Sequence, residues 1–181
     1  MNLLHRASRL LLEKSYVQGD VVLTSGRRSD YYFDCKQTAL DAEGGYLLAR
    51  CFLEVLRPEV QGVGGMTLGA DPLVSAVSIL SYLDGRPLPG FIVRKTAKGH
   101  GTNRYLEGLK NFSPGTGVAV LEDVVTTGGS VLTACRRVQE AGLDVVQVLC
   151  VLDREEGGGE FLAQHGYALH TLFTKKDLFT G

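Results

Sequence analysis

Gly117-Val118-Ala119-Val120-Leu121-Glu122-Asp123-Val124-Val125-Thr126-Thr127-Gly128-Gly129-Ser130 joins three signals in fourteen residues. A short apolar run reads as a buried parallel strand. The adjacent carboxylates of Glu122 and Asp123 end that run, and a turn of small residues follows. Val131, Ala134, Cys135, Val138 and Ala141 then recur at helical spacing, with Gly142 as the stop. Strand, glycine turn and helix start together make a phosphate site. Glycines let the backbone approach a ligand, and the first turn of a helix offers unpaired N–H groups at a positive dipole end. The hydroxyls of Thr126, Thr127 and Ser130 add donors. Two carboxylates beside such a site suit sugar hydroxyls or a metal. No G-x-x-x-x-G-K-[ST] occurs, so a P-loop nucleoside triphosphatase is not supported.

Working outward, the chain of 181 residues is long enough for one α/β domain with its own core. A net charge of −1 gives no basic field for nucleic acid, though a small anion needs only a local cluster of cations. The start, Met1 to Arg6, lacks the apolar stretch of a signal peptide, and no apolar run is long enough to span a membrane. The expectation is therefore a cytoplasmic protein. Cys35, Cys51, Cys135 and Cys150 are far apart and form no C-x-x-C, which favours buried free thiols over zinc or a redox pair.

Leu3, Leu4, Ala7, Leu10 and Leu11 share one helical face, and this first helix is expected to lie as a flap on the main body. Residues 21–34 read as a hairpin, in which Tyr31 and Phe33 share a face and Tyr32 takes the other. A second amphipathic helix carries Leu48, Cys51, Phe52 and Val55 and ends near Pro58. Val63 to Pro72 repeats the strand, glycine-rich turn and helix start, with main-chain amides from Thr67 to Ala70 facing a ligand. The strand Phe91-Ile92-Val93 runs into a glycine-bearing loop in which Arg94, Lys95, Lys98 and His100 fall within seven residues. The strand Val145 to Leu152 leads to Asp153-Arg154-Glu155-Glu156, then Gly157, Gly158 and Gly159. Arg154 thus lies at the carboxyl end of a strand, where open α/β sheets bind ligands, either to fork a carboxylate or to pair with a neighbouring Glu. A last helix and the strand Tyr167 to Phe173 close the domain.

The run from the apolar strand through Glu122-Asp123 to Ser130 resembles the phosphoribosyl pyrophosphate (PRPP) motif of the type I phosphoribosyltransferases. The resemblance implies that Glu122 and Asp123 hold the ribose 2′- and 3′-hydroxyls. The loop Val124, Val125, Thr126, Thr127, Gly128, Gly129 and Ser130 would cradle the 5′-phosphate, and the turn near Thr67–Ala70 the pyrophosphate. Within that family, S-G-x-x-S-x-Y-Y-F-D is similar to the N-terminal hood of orotate phosphoribosyltransferases, which sets Tyr32 and Phe33 over the pyrimidine. Arg94, Lys95, Lys98 and His100 match their catalytic loop, and Arg154 their orotate contact. Two departures stand: Thr24 and Gly69 occupy positions where other members carry lysine, with Arg28 or Lys36 as possible substitutes for the first.

What the resemblance implies is a type I fold, a mostly parallel twisted sheet flanked by helices. Residues 1–181 would form one domain, its hood built mainly from residues 1–40 with C-terminal elements. The reaction would convert orotate and PRPP to orotidine 5′-monophosphate, with Mg²⁺ held mainly by substrate oxygens. Lys98, Asp123, Arg94 and His100 would be the catalytic groups, in a homodimer whose cationic loop serves the neighbouring site. A purine phosphoribosyltransferase would share the Glu122–Ser130 motif but lack the basic loop and aromatic hood. A PRPP-sensing regulator would keep the motif and add a nucleic-acid surface.

Overall fold

A computed structural model describes residues 2–22, 28–97 and 105–180. In chain order the elements are α1 (Leu3–Ser15), β1 (Tyr16–Val22), β2 (Arg28–Phe33), α2 (Cys35–Ala39), α3 (Ala42–Val55), β3 (Val63–Met66), α4 (Asp71–Leu83), β4 (Gly90–Val93) and β5 (Leu106–Glu107). Then follow β6 (Gly117–Val125), α5 (Gly129–Glu140), β7 (Asp144–Asp153), α6 (Gly158–Gln164), β8 (Leu169–Thr174) and α7 (Lys175–Thr180). Six strands form the central sheet in the order β5-β4-β3-β6-β7-β8. All its pairs are parallel except β4 with the two-residue edge strand β5. The chain leaves β3 for β4 on one side and returns through β6 to β8 on the other. The carboxyl ends of β3 and β6 therefore flank the reversal point where such sheets leave a crevice.

Alternation along buried strands supplies two cores. Ala119 and Leu121 of β6, with Leu149 and Val151 of β7, pack beneath α1, α3 and α4. Val118 and Val120, with Val148 and Cys150, pack against Val131, Ala134, Cys135 and Val138 of α5. Strand β6 runs two residues beyond the carboxylates, because Val124 and Val125 still pair with Leu152 and Asp153 of β7. The helix after it stops as expected, with Gly142 at φ +83° beyond its last turn.

The N-terminal helix is more than a flap. Ala7, Leu10 and Leu11 are fully buried in the main core, and Asn2 caps the helix by accepting from Leu4 N–H at 3.1 Å. The hairpin pairs β1 with β2 antiparallel, Tyr16 opposite Phe33 and Gln18 opposite Tyr31. The C-terminal helix α7, not foreseen from sequence, lies against it: the Phe179 ring meets Tyr16 edge-on at 5.1 Å between centroids. All four cysteines are buried and free. Burial pushes the thiols up, to about 11 at Cys51 and about 12 at Cys135 and Cys150.

Candidate active site

The parity that builds the two cores also deals out the carboxylates. Glu122 continues the Val118, Val120 face toward α5, is 6% exposed, and meets the Ser130 hydroxyl. Asp123 continues the Ala119, Leu121 face and meets the turn after β3 at Gly69. Their backbones bind them further: Asp123 N–H donates to Glu122 Oε1 at 3.2 Å, and Val124 N–H to Asp123 Oδ1 at 2.9 Å. Burial, then the adjoining Asp123 charge, pushes the Glu122 carboxyl well above the usual carboxylate range. A buried carboxyl that is readily protonated therefore sits beside a half-buried one in the same crevice.

Gly128 at φ +81° turns the chain from β6 into α5, a conformation that disfavours any side chain. A β-carbon there would also lie 2.9 Å from Gly158 O. Gly158 has the reciprocal constraint, since its β-carbon would fall 2.7 Å from Thr126 O and 2.5 Å from a Val125 methyl. The glycine run 157–159, which sequence marks only as a loop, thus lets α6 close against the Thr126–Gly128 turn. Among the described residues no side chain caps α5, which leaves the first N–H groups available at the exposed Gly129 and Ser130.

In the turn after β3, Thr67 N–H donates to Val93 O at 2.9 Å and Ala70 N–H to Met66 O at 3.1 Å. Of the four amides expected to face a ligand, Leu68 and Gly69 are the two whose N–H groups have no backbone acceptor among the described residues. Thr67 Oγ1 donates to Asp71 Oδ2 at 2.7 Å, which ties the turn to the start of α4.

Arg94 is held at the foot of the basic loop. Its guanidinium reaches Glu107 Oε1 at 3.1 Å, and its N–H donates to Tyr105 O at 2.7 Å. Arg137 of α5 secures both ends of that loop: its Nη1 donates to Arg94 O at 2.6 Å, and its guanidinium lies 3.9 Å from the Tyr105 ring centre. Lys95 is exposed. Lys98 and His100 lie outside the described residues, as does Thr24.

The two hood aromatics expected over the pyrimidine differ in exposure. Tyr32 is 37% exposed, while Phe33 is buried at 5% with its ring 5.8 Å from Tyr16. Tyr31 is the hood residue that reaches Arg154: its hydroxyl accepts from Nη2 at 3.1 Å. Arg154 is 7% exposed at the end of β7, where its N–H extends the ladder to Val125 O at 3.0 Å. Glu156 Oε1 stands 2.9 Å from Arg154 Nε, so the neighbour pairing weighed from sequence is present. That ion pair lies off the N–H axis, and among the described residues Nε–H has no hydrogen-bond acceptor. Sequence reasoning missed Tyr31, Gly158 and Arg137; only the shared face of Tyr31 and Phe33 hinted at the first. Lys36 pairs with Asp34 Oδ1 at 2.5 Å, and its ammonium is raised above the ordinary lysine range. Burial opposes that rise, which comes from the Asp34 hydrogen bond and then the Asp123 charge. Lys36 therefore lies near the crevice carboxylates.

Fold and crevice together define a type I phosphoribosyltransferase. An orotate phosphoribosyltransferase of Thermosynechococcus vestitus is 52% identical over 169 residues, covering 93% of this chain and 89% of that protein. The orotate phosphoribosyltransferase of Mycobacterium tuberculosis superposes in its Fe(III) dicitrate complex with a TM-score of 0.85 at 37% identity, over 98% and 99% of the two chains. In its PRPP complex the TM-score is 0.80 at 33% identity, over the same shares. No family model matches. The chain belongs to the orotate phosphoribosyltransferase family. Among the described residues, no helix is long and apolar enough to cross a membrane.

Proposed function

We propose that this chain transfers the 5-phosphoribosyl group of PRPP to orotate, giving orotidine 5′-monophosphate and pyrophosphate in pyrimidine biosynthesis. The observation that carries the choice of orotate is Arg154, a buried guanidinium at the carboxyl edge of the sheet that the hood meets through Tyr31. A planar carboxylate fits such a fork in two parallel hydrogen bonds. Among the alternatives, a purine base carries no carboxylate to match it.

Displacement at the anomeric carbon breaks the bond to pyrophosphate as the bond to the orotate nitrogen forms; that nitrogen gives up its proton, which the departing pyrophosphate can accept, and no protein nucleophile is needed. PRPP would lie along the crevice, its 5′-phosphate on the uncapped start of α5 and its pyrophosphate on the Leu68 and Gly69 amides. Asp123 and Glu122 would hold the ribose hydroxyls and favour the positive charge that develops on the sugar. Lys98, with Arg94, Lys95 and His100, would stabilise the leaving pyrophosphate and keep water from it. Mg²⁺ fits this donor set, since Asp123 offers a partly exposed carboxylate beside the place a polyphosphate would take. Among the described residues no three His, Cys, Asp or Glu side chains gather, so substrate oxygens and water would complete the shell. The cation would neutralise charge on the departing pyrophosphate.

The same reading makes the protein a cytoplasmic homodimer with shared sites, in which residues 94–104 of one chain serve the crevice of the other. An apolar strip supports it: Ile79, Tyr82 and Leu83 of α4 are 62%, 72% and 68% exposed. Product formation with PRPP, Mg²⁺ and a panel of orotate, uracil, hypoxanthine and adenine tests the substrate assignment. Orotate alone should be consumed, and uracil should lose on the order of 10⁴-fold because it brings no carboxylate to a site built to bind one. Comparable rates with uracil, or turnover of a purine, would overturn it.

A further inference from the structure

Arg154 is held from two directions by residues the reaction does not otherwise require. From the hood, Tyr31 accepts from Nη2 at 3.1 Å while the guanidinium carbon lies 4.8 Å from the centre of its ring. From its own loop, Glu156 supplies charge at 2.9 Å without a hydrogen bond. Glu155 sits at φ +56°, a left-handed conformation uncommon for a residue with a side chain. That kink is fixed at both ends: Glu155 N–H donates to Asp153 Oδ1 at 2.9 Å, and Glu155 Oε2 accepts from Lys176 N–H at 3.0 Å. The kink turns the following residue, Glu156, back onto Arg154.

The two contacts divide the work. Glu156 neutralises the buried cation but, lying off the N–H axis, does little to fix the plane of the fork. Tyr31 fixes the plane, because hydrogen bonds to a charged donor are directional and strong. Tyr31 is itself held: its ring stacks on Tyr16 at 6.1 Å and 29°, and Lys175 Nζ lies 4.5 Å from its centre. With one Nη2 proton on Tyr31, the plane of the guanidinium is set before a carboxylate arrives.

We infer that Tyr31 is a positioning residue for base recognition: through its hydroxyl it aims the Arg154 fork, so that the hood contributes to selection of a carboxylate-bearing pyrimidine. The inference rests on orotate as the substrate, as proposed above. Tyr31→Phe removes only the oxygen and keeps the ring packing, so the fold is retained. Its KM for orotate should rise about tenfold, the effect of one hydrogen bond to a charged group. KM for PRPP should stay within twofold, and kcat should fall less than threefold. A binding readout needs no turnover. Thermal protection by orotidine 5′-monophosphate should exceed that by uridine 5′-monophosphate, which lacks the carboxylate, and Tyr31→Phe should narrow that gap. Equal loss of PRPP and orotate affinity, or an unchanged gap between the two nucleotides, would overturn the role of Tyr31. Failure of the unaltered protein to use orotate would instead overturn the substrate assignment.

Discussion

Gly69 and Asp123 approach so closely that a β-carbon on Gly69 would lie 2.4 Å from Asp123 Oδ1 and 2.8 Å from Oδ2. The turn after β3 and the carboxylate at the end of β6 therefore touch across the reversal point of the sheet. At this position the chain has no room for a side chain unless Asp123 moves.

Gly69→Ala should accordingly damage function more than folding. Asp123 is only partly buried and can swing aside, so the melting temperature should change little. The displaced carboxylate would no longer meet the ribose, and misplacement by about 1 Å costs on the order of 10²-fold in rate. Steady-state kcat/KM beside a melting curve checks this. Near-normal activity in Gly69→Ala would show that the contact is incidental.

Glu122 couples activity to stability through pH. Its folded-state pKa lies above its unfolded one, chiefly through burial and then the Asp123 charge, so folding favours the protonated form. The group is harmless below the unfolded carboxylate range and costs stability as pH rises through the folded value. Glu122→Gln resembles the protonated form at every pH. Its melting temperature should gain on the unaltered protein as pH rises above the ordinary carboxylate range, by about 2–4 °C for each kcal/mol that ionisation costs. Activity should fall roughly tenfold or more where Glu122 is ionised, because the amide offers the ribose no negative charge. A melting difference that is flat with pH would refute the buried-acid assignment.

How far sequence reaches is visible in these two residues. The strand, the glycine turn and the helix start around Glu122 and Asp123 were legible because period-2 burial and capping are local. The parallel sheet with flanking helices followed from the same alternation. The contact of Gly69 with Asp123 was not legible, since it joins segments that meet only once β3 and β6 pair. The Tyr31–Arg154 bond, across 123 residues, was hidden for the same reason. Short elements also escaped: β5 has two residues and α2 five, too few for a period to show.

Arg137 offers a test of how the basic loop is anchored. It donates to Arg94 O at 2.6 Å and stacks on Tyr105, and so holds both ends of residues 94–105 against α5. Arg137→Met keeps the stem but removes both interactions. We expect kcat to fall about tenfold, because a transition-state contact made by this loop loses its fixed base. KM for orotate should be unaffected, since Arg154 stands elsewhere. A change confined to orotate KM would contradict this account.

The shared site has its own test in mixed dimers. Lys98→Ala lacks a loop cation and Asp123→Asn lacks the ribose carboxylate, so each parent dimer is defective at both sites. If residues 94–104 serve the neighbouring chain, one site of a mixed dimer inherits both lesions and the other neither. Random assortment makes half the dimers mixed, so roughly a quarter of all sites should regain full function under two-fold symmetry. If the loop served its own chain, every site would keep one lesion and nothing would be recovered. Co-expression with two different tags isolates the mixed species, and its specific activity should then approach half that of the unaltered protein. Mixed dimers as inactive as either parent would assign the loop to its own crevice.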